Sequence, residues 1–332
     1  MPKHIKVAVL GVGNMGKTRI RNLKQIDGAA LTAVCANHPA DTAAFLSQIG
    51  INAPVFENFD EMLDRADFDV LYVCLPPYAH NGQVEAACER KKHVFIEKPI
   101  ALTPERGRSM ADAVQRNGVL SQVGYSMRFG SAVRKFLELS ASGAAGTPVL
   151  FAAGYECNLQ HLPWWMDKER SGGQVVEQLI HLYDLAGLLM GKPLSVSGYL
   201  NNLCHRDVPG YTIEDVSVSS IRFEAGGLAA ITGTNCALPG AVKYNFKVVC
   251  EHMIADFKDP NSAVFTYTKE GGRQQTFDRD MDIHLEEDRY FFSVVRGENK
   301  QTATIPDGMR GLLLTTAVVS SSQKGGQAVF IS

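Results

Sequence analysis

The first third of the chain alternates short apolar runs with longer stretches of mixed polarity. Residues 5–10, 31–36, 69–75, 93–97 and 119–124 are rich in Val, Ile, Leu and Phe, the composition of strands buried on both faces. Residues 17–26 and 41–49 between them have helical character. A further helix opens at Thr103-Pro104-Glu105, where threonine caps and proline takes the first helical position. Strands and helices in this alternation predict a parallel, doubly wound sheet that closes near Gly124.

Beyond Gly124 the pattern changes. A helix at 131–140 is followed by strand patterns at 148–156, 194–200, 216–223, 228–234, 244–250 and 263–268 without regular helices between them, which predicts an open, mainly antiparallel sheet. Helices return at 283–296 and 307–323. The expectation is an α/β chain of two domains, 1–124 and 125–332. Runs such as Leu228-Ala229-Ala230-Ile231 leave one face of the second sheet apolar, so a homo-oligomer, dimer or tetramer, is expected.

Composition narrows the partners. At 332 residues, with 45% hydrophobic and 20% charged residues and a formal net charge of -2, the chain offers no electrostatic footprint for nucleic acid or an anionic membrane. No apolar run approaches the ~20 residues of a membrane span, and Met-Pro-Lys-His leads straight into a strand without a leader pattern. A cytoplasmic protein acting on small molecules is expected. Cys35, Cys74, Cys88, Cys157, Cys204, Cys236 and Cys250 are scattered singly, which indicates neither a zinc framework nor disulfides.

The candidate chemistry begins at Gly11-Val12-Gly13-Asn14-Met15-Gly16, a Gly-x-Gly-x-x-Gly between the first strand and a helix. The first glycine permits a tight turn, the second lets backbone N–H groups approach a pyrophosphate, and the third lets helix and strand pack closely. A nicotinamide dinucleotide is the expected cofactor. Ligands of such sheets gather beyond the carboxyl ends of the strands. There the chain places Leu75-Pro76 with His80 after one strand, a stretch that reads equally as a plain turn, and Glu97-Lys98-Pro99 after another. The second strand ends in Ala36-Asn37-His38-Pro39. An acid at this point would select NAD through the ribose 2'-hydroxyl. Its absence, with Asn37 and His38 available to a 2'-phosphate, tilts the reading towards NADP and leaves NAD open. No arginine follows before Gly50, although arginine best forks a phosphate.

In the second half, Gly172 to Asp184 reads as one largely apolar helix on which Glu177, His181 and Asp184 share a face at i, i+4 and i+7. This is either the wet side of a helix or a histidine held by a carboxylate, as a general base requires. Glu177 and His181 alone do not complete a metal set, and no metal is expected.

Taken together, Gly11-x-Gly13-x-x-Gly16, Glu97-Lys98-Pro99 and Gly172-Gly173-x-x-x-Glu177-x-x-x-His181-x-x-Asp184 resemble the glucose-fructose oxidoreductase, inositol dehydrogenase and rhizopine-catabolism (Gfo/Idh/MocA) family over essentially the whole chain. Gly124-Tyr125-Ser126-Met127-Arg128-Phe129 and Trp164-Trp165 are also similar to family segments. The resemblance implies a Rossmann domain followed by an α/β domain whose open sheet meets a neighbouring subunit, and activity on sugars, polyols and related alcohols. It implies that Lys98, His181 and Glu177 form the catalytic group: His181 removes a hydroxyl proton, Lys98 stabilises the oxygen, and Glu177 orients the histidine. Arg128, Tyr155, His161 and Trp165 are candidates for substrate contact. The chain departs from the family at Glu177, usually aspartate, at Leu179, usually glycine, and at Ala36, commonly aspartate in members that use NAD. A family-type glycosidase that uses NAD transiently and a non-catalytic nucleotide sensor remain alternatives.

Overall fold

In the computed structural model, which describes residues 4–158 and 162–331, the apolar segments of the first third lie side by side and run in one direction. They are β1 (Ile5–Leu10), β2 (Ala29–Cys35), β3 (Val55–Phe56), β4 (Val70–Val73), β5 (His93–Ile96) and β6 (Ser121–Val123), in the order β3-β2-β1-β4-β5-β6. Every neighbouring pair is parallel. The strand order reverses between β1 and β4, so the loops following these two strands leave towards opposite faces and open a crevice between them. Val7, Val9, Val70, Tyr72 and Phe95 are completely buried, as helices on both faces of a parallel sheet require.

One expectation about the boundary is corrected. The first compact unit comprises Met1–Ala101, Glu105–Tyr125 and also His284–Met309. The helix Ile283–Val295 returns to it, burying Leu285, Phe291 and Phe292 in the same core as Val7, Val34 and Phe95. Tyr72 and Phe95 stack at 4.5 Å, and Phe291 meets the edge of that pair at 6.3 and 5.9 Å. Helical periodicity marks a buried face without saying which core it fills, so a division at 124/125 describes only the first pass of the chain.

The second unit comprises Leu102–Pro104, Ser126–Ile283 and Arg310–Ser332. Its sheet contains β7 (Pro148–Cys157), β8 (Pro193–Asn201), β9 (Val216–Phe223), β10 (Leu228–Thr234), β11 (Val242–Cys250), β12 (Met253–Asp259), β13 (Ser262–Tyr267), β14 (Arg273–Asp278) and β15 (Val329–Phe330). The order is β14-β13-β12-β11-β7-β10-β9-β8-β15. All neighbours are antiparallel except β7 and β10. Three strands, β12, β14 and β15, were not expected from the sequence; β14 is an edge strand of mainly exposed polar residues, and β15 has only two residues.

Alternation decides what each face of this sheet meets. On one side Phe151, Ile221, Phe223, Ala229, Ile231, Phe246 and Val248 are buried with Leu182, Tyr183, Leu185 and Leu189 of the helix Ile180–Met190. On the other, Leu228 lies opposite Leu150 and Val218 opposite Tyr199, and all four are exposed. Among the described residues no helix is long and apolar enough to cross a membrane.

Candidate active site

The glycine-rich turn of the first unit is shaped by three different constraints. Gly11 has φ +91°, and a Cβ there would lie 2.7 Å from the Cys74 carbonyl oxygen. A Cβ on Gly16 would lie 2.0 Å from the Gly11 oxygen, so the helix meets the end of β1 too closely for any side chain. Gly13 differs: a Cβ there would meet nothing within 4 Å. The space in front of its backbone is therefore open, as expected where a backbone is approached by a ligand. Gly13 caps the helix Asn14–Leu23 without any side-chain hydrogen bond. The first-turn N–H groups, including those of Asn14, Met15 and Gly16, are available to an anion at the positive end of the helix. These residues fit the pyrophosphate of a dinucleotide.

At the end of β2, Ala36 is buried while Asn37 and His38 are exposed, and His38 precedes the helix Pro39–Gln48. No carboxylate occurs in this turn. After β4, Leu75 and Pro76 are partly exposed and lead into a short turn. His80 is buried, with Nδ1 2.8 Å from the Ile100 oxygen and Nε2 3.1 Å from the Leu75 oxygen. Burial holds its pKa below the ordinary histidine value, against the pull of those two carbonyls. The ring thus ties the segment after β4 to the segment after β5, and it shapes the strand ends by fixing both.

Glu97 follows β5 and is also buried. Its Oε1 accepts the Arg19 Nε–H at 2.8 Å. Arg19, fully buried on the helix that begins at Gly13, donates Nη2–H to Glu287 Oε2 at 2.6 Å and Nη1–H to Asp288 Oδ1 at 2.9 Å. Its guanidinium also lies over Phe95, 4.4 Å from the ring centroid. Burial opposes the Arg19 charge, but Asp288, Glu97 and Glu287 together keep its pKa well above the usual value. One cation faces three carboxylates. Burial is the main cause that pushes Glu287 well above the ordinary range and Asp288 up to about 6, against the pull of Arg19 on both. A Cβ on Gly124 would lie 2.5 Å from Glu97 Oε2. Lys98, partly exposed, follows immediately, and its peptide bond to Pro99 is cis.

In the second unit Gly172 and Gly173 have φ of +82° and +95°. A Cβ on Gly173 would lie 2.5 Å from Glu214 Oε2, while Glu214 Oε1 accepts the Val175 N–H at 2.9 Å. Glu214 was not expected from the sequence; it comes from a distant segment and fixes the chain entering the helical region. The expected single helix is in fact two pieces, Gln174–Glu177 and Ile180–Met190. The Leu179 N–H reaches the Gln174 oxygen at 3.0 Å and the Leu182 N–H reaches Leu179 at 2.8 Å, so the helical register is interrupted at 178–179. Leu179 is completely buried against Gly233, where a Cβ would lie 2.7 Å from Leu179 Cδ2. The interruption coincides with the seating of Leu179 in this core position.

Glu177 Oε2 accepts the Trp165 indole N–H at 2.6 Å. Asp184 Oδ2 accepts Arg128 Nε–H at 2.7 Å, with a second contact from Arg128 Nη2, and both residues are buried. His181, partly exposed, stands in the first turn of the longer piece. Tyr155 is buried on β7 with its ring 4.5 Å from that of Tyr244. His161 lies outside the described residues.

The amino-acid sequence matches an oxidoreductase family with an NAD-binding Rossmann fold over residues 5–125 and the GFO/IDH/MocA C-terminal domain over residues 133–255. A myo-inositol 2-dehydrogenase of Thermotoga maritima is 25% identical and aligns over 96% of this chain and 97% of its own. A 2,7-anhydro-N-acetylneuraminate hydratase of Escherichia coli is 32% identical over 68% of this chain and 61% of its own. Among solved structures, a levoglucosan dehydrogenase in complex with NADH and levoglucosan superimposes with a TM-score of 0.91 over 99% of both chains at 19% identity, a likeness of fold.

Proposed function

The chain belongs to the Gfo/Idh/MocA oxidoreductases, and from that premise we propose that it oxidises a ring hydroxyl of a sugar or polyol, or reduces the corresponding ketone, with a nicotinamide cofactor. The observation that carries the reading is the loop row of the first unit. The uncapped glycine-rich helix start and Lys98 both stand at the carboxyl ends of parallel strands of one sheet, β1 and β5, with only β4 between them, where an open α/β sheet holds its ligand. The myo-inositol dehydrogenase likeness over nearly the full length supports a cyclic polyol or sugar as the substrate class.

Backbone N–H groups of the Gly11–Gly16 turn hold the pyrophosphate, and the segments at Leu75-Pro76 and Glu97-Lys98 flank the nicotinamide. Bound nicotinamide supplies the two-electron acceptor for the carbinol C–H. His181 takes the hydroxyl proton and Lys98 stabilises the charge that develops on the oxygen. Glu177, steadied by the Trp165 indole, orients His181. Arg128, Tyr155 and Trp165 belong to the substrate side, Arg128 acting through the segment that its bond to Asp184 fixes. With no acid in Ala36-Asn37-His38-Pro39, the adenosine end accepts a 2'-phosphate, so NADP is used at least as well as NAD.

A polyol and sugar panel, read at the absorbance band of reduced nicotinamide with each oxidised cofactor, tests the reading. Stoichiometric reduction with at least one cyclic polyol or sugar supports it. Asn37→Asp is expected to shift preference towards NAD; a parent with a clear preference for NAD overturns the cofactor assignment. The likeness to a 2,7-anhydro-N-acetylneuraminate hydratase supports a second reading, in which the cofactor is used and regenerated within each turnover. Product formation from an anhydrosugar without accumulation of reduced cofactor distinguishes it.

A further inference from the structure

Two of the singly scattered cysteines meet in space. Cys204, in the loop between β8 and β9, and Cys236, just after β10, are exposed and unbridged. Their sulfurs and a carboxylate oxygen of Asp215 all lie within 4.8 Å of one another. Asp215 is completely buried and forms the floor of the group, while the thiols form its rim.

The floor is built rather than incidental. Asp215 Oδ2 accepts the N–H of Cys204 at 2.6 Å and of His205 at 3.2 Å, and lies 3.0 Å from His205 Nδ1. Oδ1 accepts the Leu203 N–H at 2.9 Å, so the carboxylate wraps the loop around itself and sets the direction of Cys204. The other cysteine is fixed through the same residue. Thr234 Oγ1–H and the Asn235 N–H both donate to the Asp215 carbonyl, at 3.1 and 2.8 Å, and the Cys236 N–H donates to Thr234 Oγ1 at 3.0 Å.

We propose that Cys204, Cys236 and Asp215 bind a borderline-soft divalent cation of the zinc class. Two sulfurs and one carboxylate oxygen are the donors such an ion prefers, and exposure at the rim leaves its fourth position to water. Ligand atoms around a tetrahedral zinc stand roughly 3.3–3.8 Å apart, given bonds of about 2.0–2.3 Å. A small inward turn of two exposed thiols closes the set. Binding exchanges two S–H bonds for two metal–sulfur bonds and releases two protons to solvent, with no change of oxidation state.

The site reaches the substrate side of the second unit through named contacts. The His205 ring stacks on Tyr211 at 4.4 Å, and the Tyr211 hydroxyl accepts from Asn235 Nδ2 at 3.0 Å. Asn235 Oδ1 accepts from Gln174 Nε2 at 2.5 Å. Tyr211 and Ile213 pack with Trp165, the donor to Glu177. A bound cation braces this loop beneath Trp165. The proposal stands independently of the reaction assigned above.

The test uses the full chain, reduced and freed of metal by a chelator, titrated with Co²⁺ alone and then with Zn²⁺. One equivalent of cobalt should produce thiolate-to-metal charge-transfer absorption that zinc abolishes. Affinity should fall at least tenfold in Cys236→Ser, and the absorption should vanish in Cys204→Ser/Cys236→Ser. Zinc should raise the thermal midpoint of the parent and leave that of the double variant unmoved. Since serine is nearly isosteric, an unchanged circular dichroism spectrum keeps the comparison fair. Absence of the band in the parent, or equal metal uptake by the double variant, overturns the site. So does a pair that takes up no cobalt and instead loses two hydrogens to oxidised glutathione, which assigns a disulfide.

Discussion

Glu97 Oε1 accepts the Arg19 Nε–H at 2.8 Å, and both side chains are buried. The acid of the Glu97-Lys98-Pro99 segment is therefore held from behind, by an arginine of the helix that begins at Gly13. The same guanidinium is shared with Glu287 and Asp288, so the turn that fits a dinucleotide, the lysine loop and the returning C-terminal helix meet in one buried ionic cluster of the first unit.

Removing its single cation should be severe. Arg19→Met leaves buried carboxylates without a counter-ion and is expected to cost about 3–5 kcal/mol in denaturant unfolding. Glu287→Gln preserves the shape of the side chain and leaves Arg19 its bonds to Glu97 and Asp288, so its loss should be clearly smaller. Equal losses for the two variants would contradict the role of Arg19 as the shared counter-ion of the cluster.

Gly13 provides a clean separation of fold from ligand. Gly13→Ala meets no protein atom within 4 Å, so its thermal midpoint should match the parent. Its cofactor affinity, measured by calorimetric titration, should be at least about tenfold weaker, because the added methyl occupies the approach of the pyrophosphate to the backbone. Gly16→Ala should instead lose stability, since its Cβ would lie 2.0 Å from the Gly11 oxygen.

The outer face of the nine-stranded sheet carries Leu150, Tyr199, Val218 and Leu228 exposed together. A face of this character calls for a partner, and a second copy of the chain is the expected one. Light scattering should give a mass that is a multiple of the 36.2 kDa chain. Leu228→Glu, which alters no buried residue, should lower it towards the monomer.

Much of this was legible in the sequence, for physical reasons that also set the limit. β1, β5 and the glycine-rich turn stand out because a parallel strand buried on both faces must be continuously apolar, and a tight turn must be glycine. The parallel sheet followed from their alternation with helices, whereas the strand order is a tertiary fact. β14 escaped because an exposed edge strand has no apolar face to display, and β3 because two residues make no pattern. The break at Leu179 escaped because local spacing does not show the packing of Leu179 against Gly233, a contact between distant segments. Arg19 did leave a signal: it falls on the buried stripe Gly16, Arg19, Ile20, Leu23, where a charge needs a buried partner. That its partners are Glu287 and Asp288 is a long-range fact, as is the meeting of Cys204 with Cys236.

The central claim is that Lys98 and His181 carry the chemistry while the glycine-rich turn carries the cofactor. Its most direct measurement is the turnover of Lys98→Met and of His181→Ala with whichever polyol or sugar the parent oxidises, alongside calorimetric cofactor affinity for each variant. The account predicts that each substitution lowers kcat by roughly 10²-fold or more, as for a lost general base or a lost oxyanion donor, with cofactor affinity close to that of the parent. Near-parental turnover in both variants would contradict it.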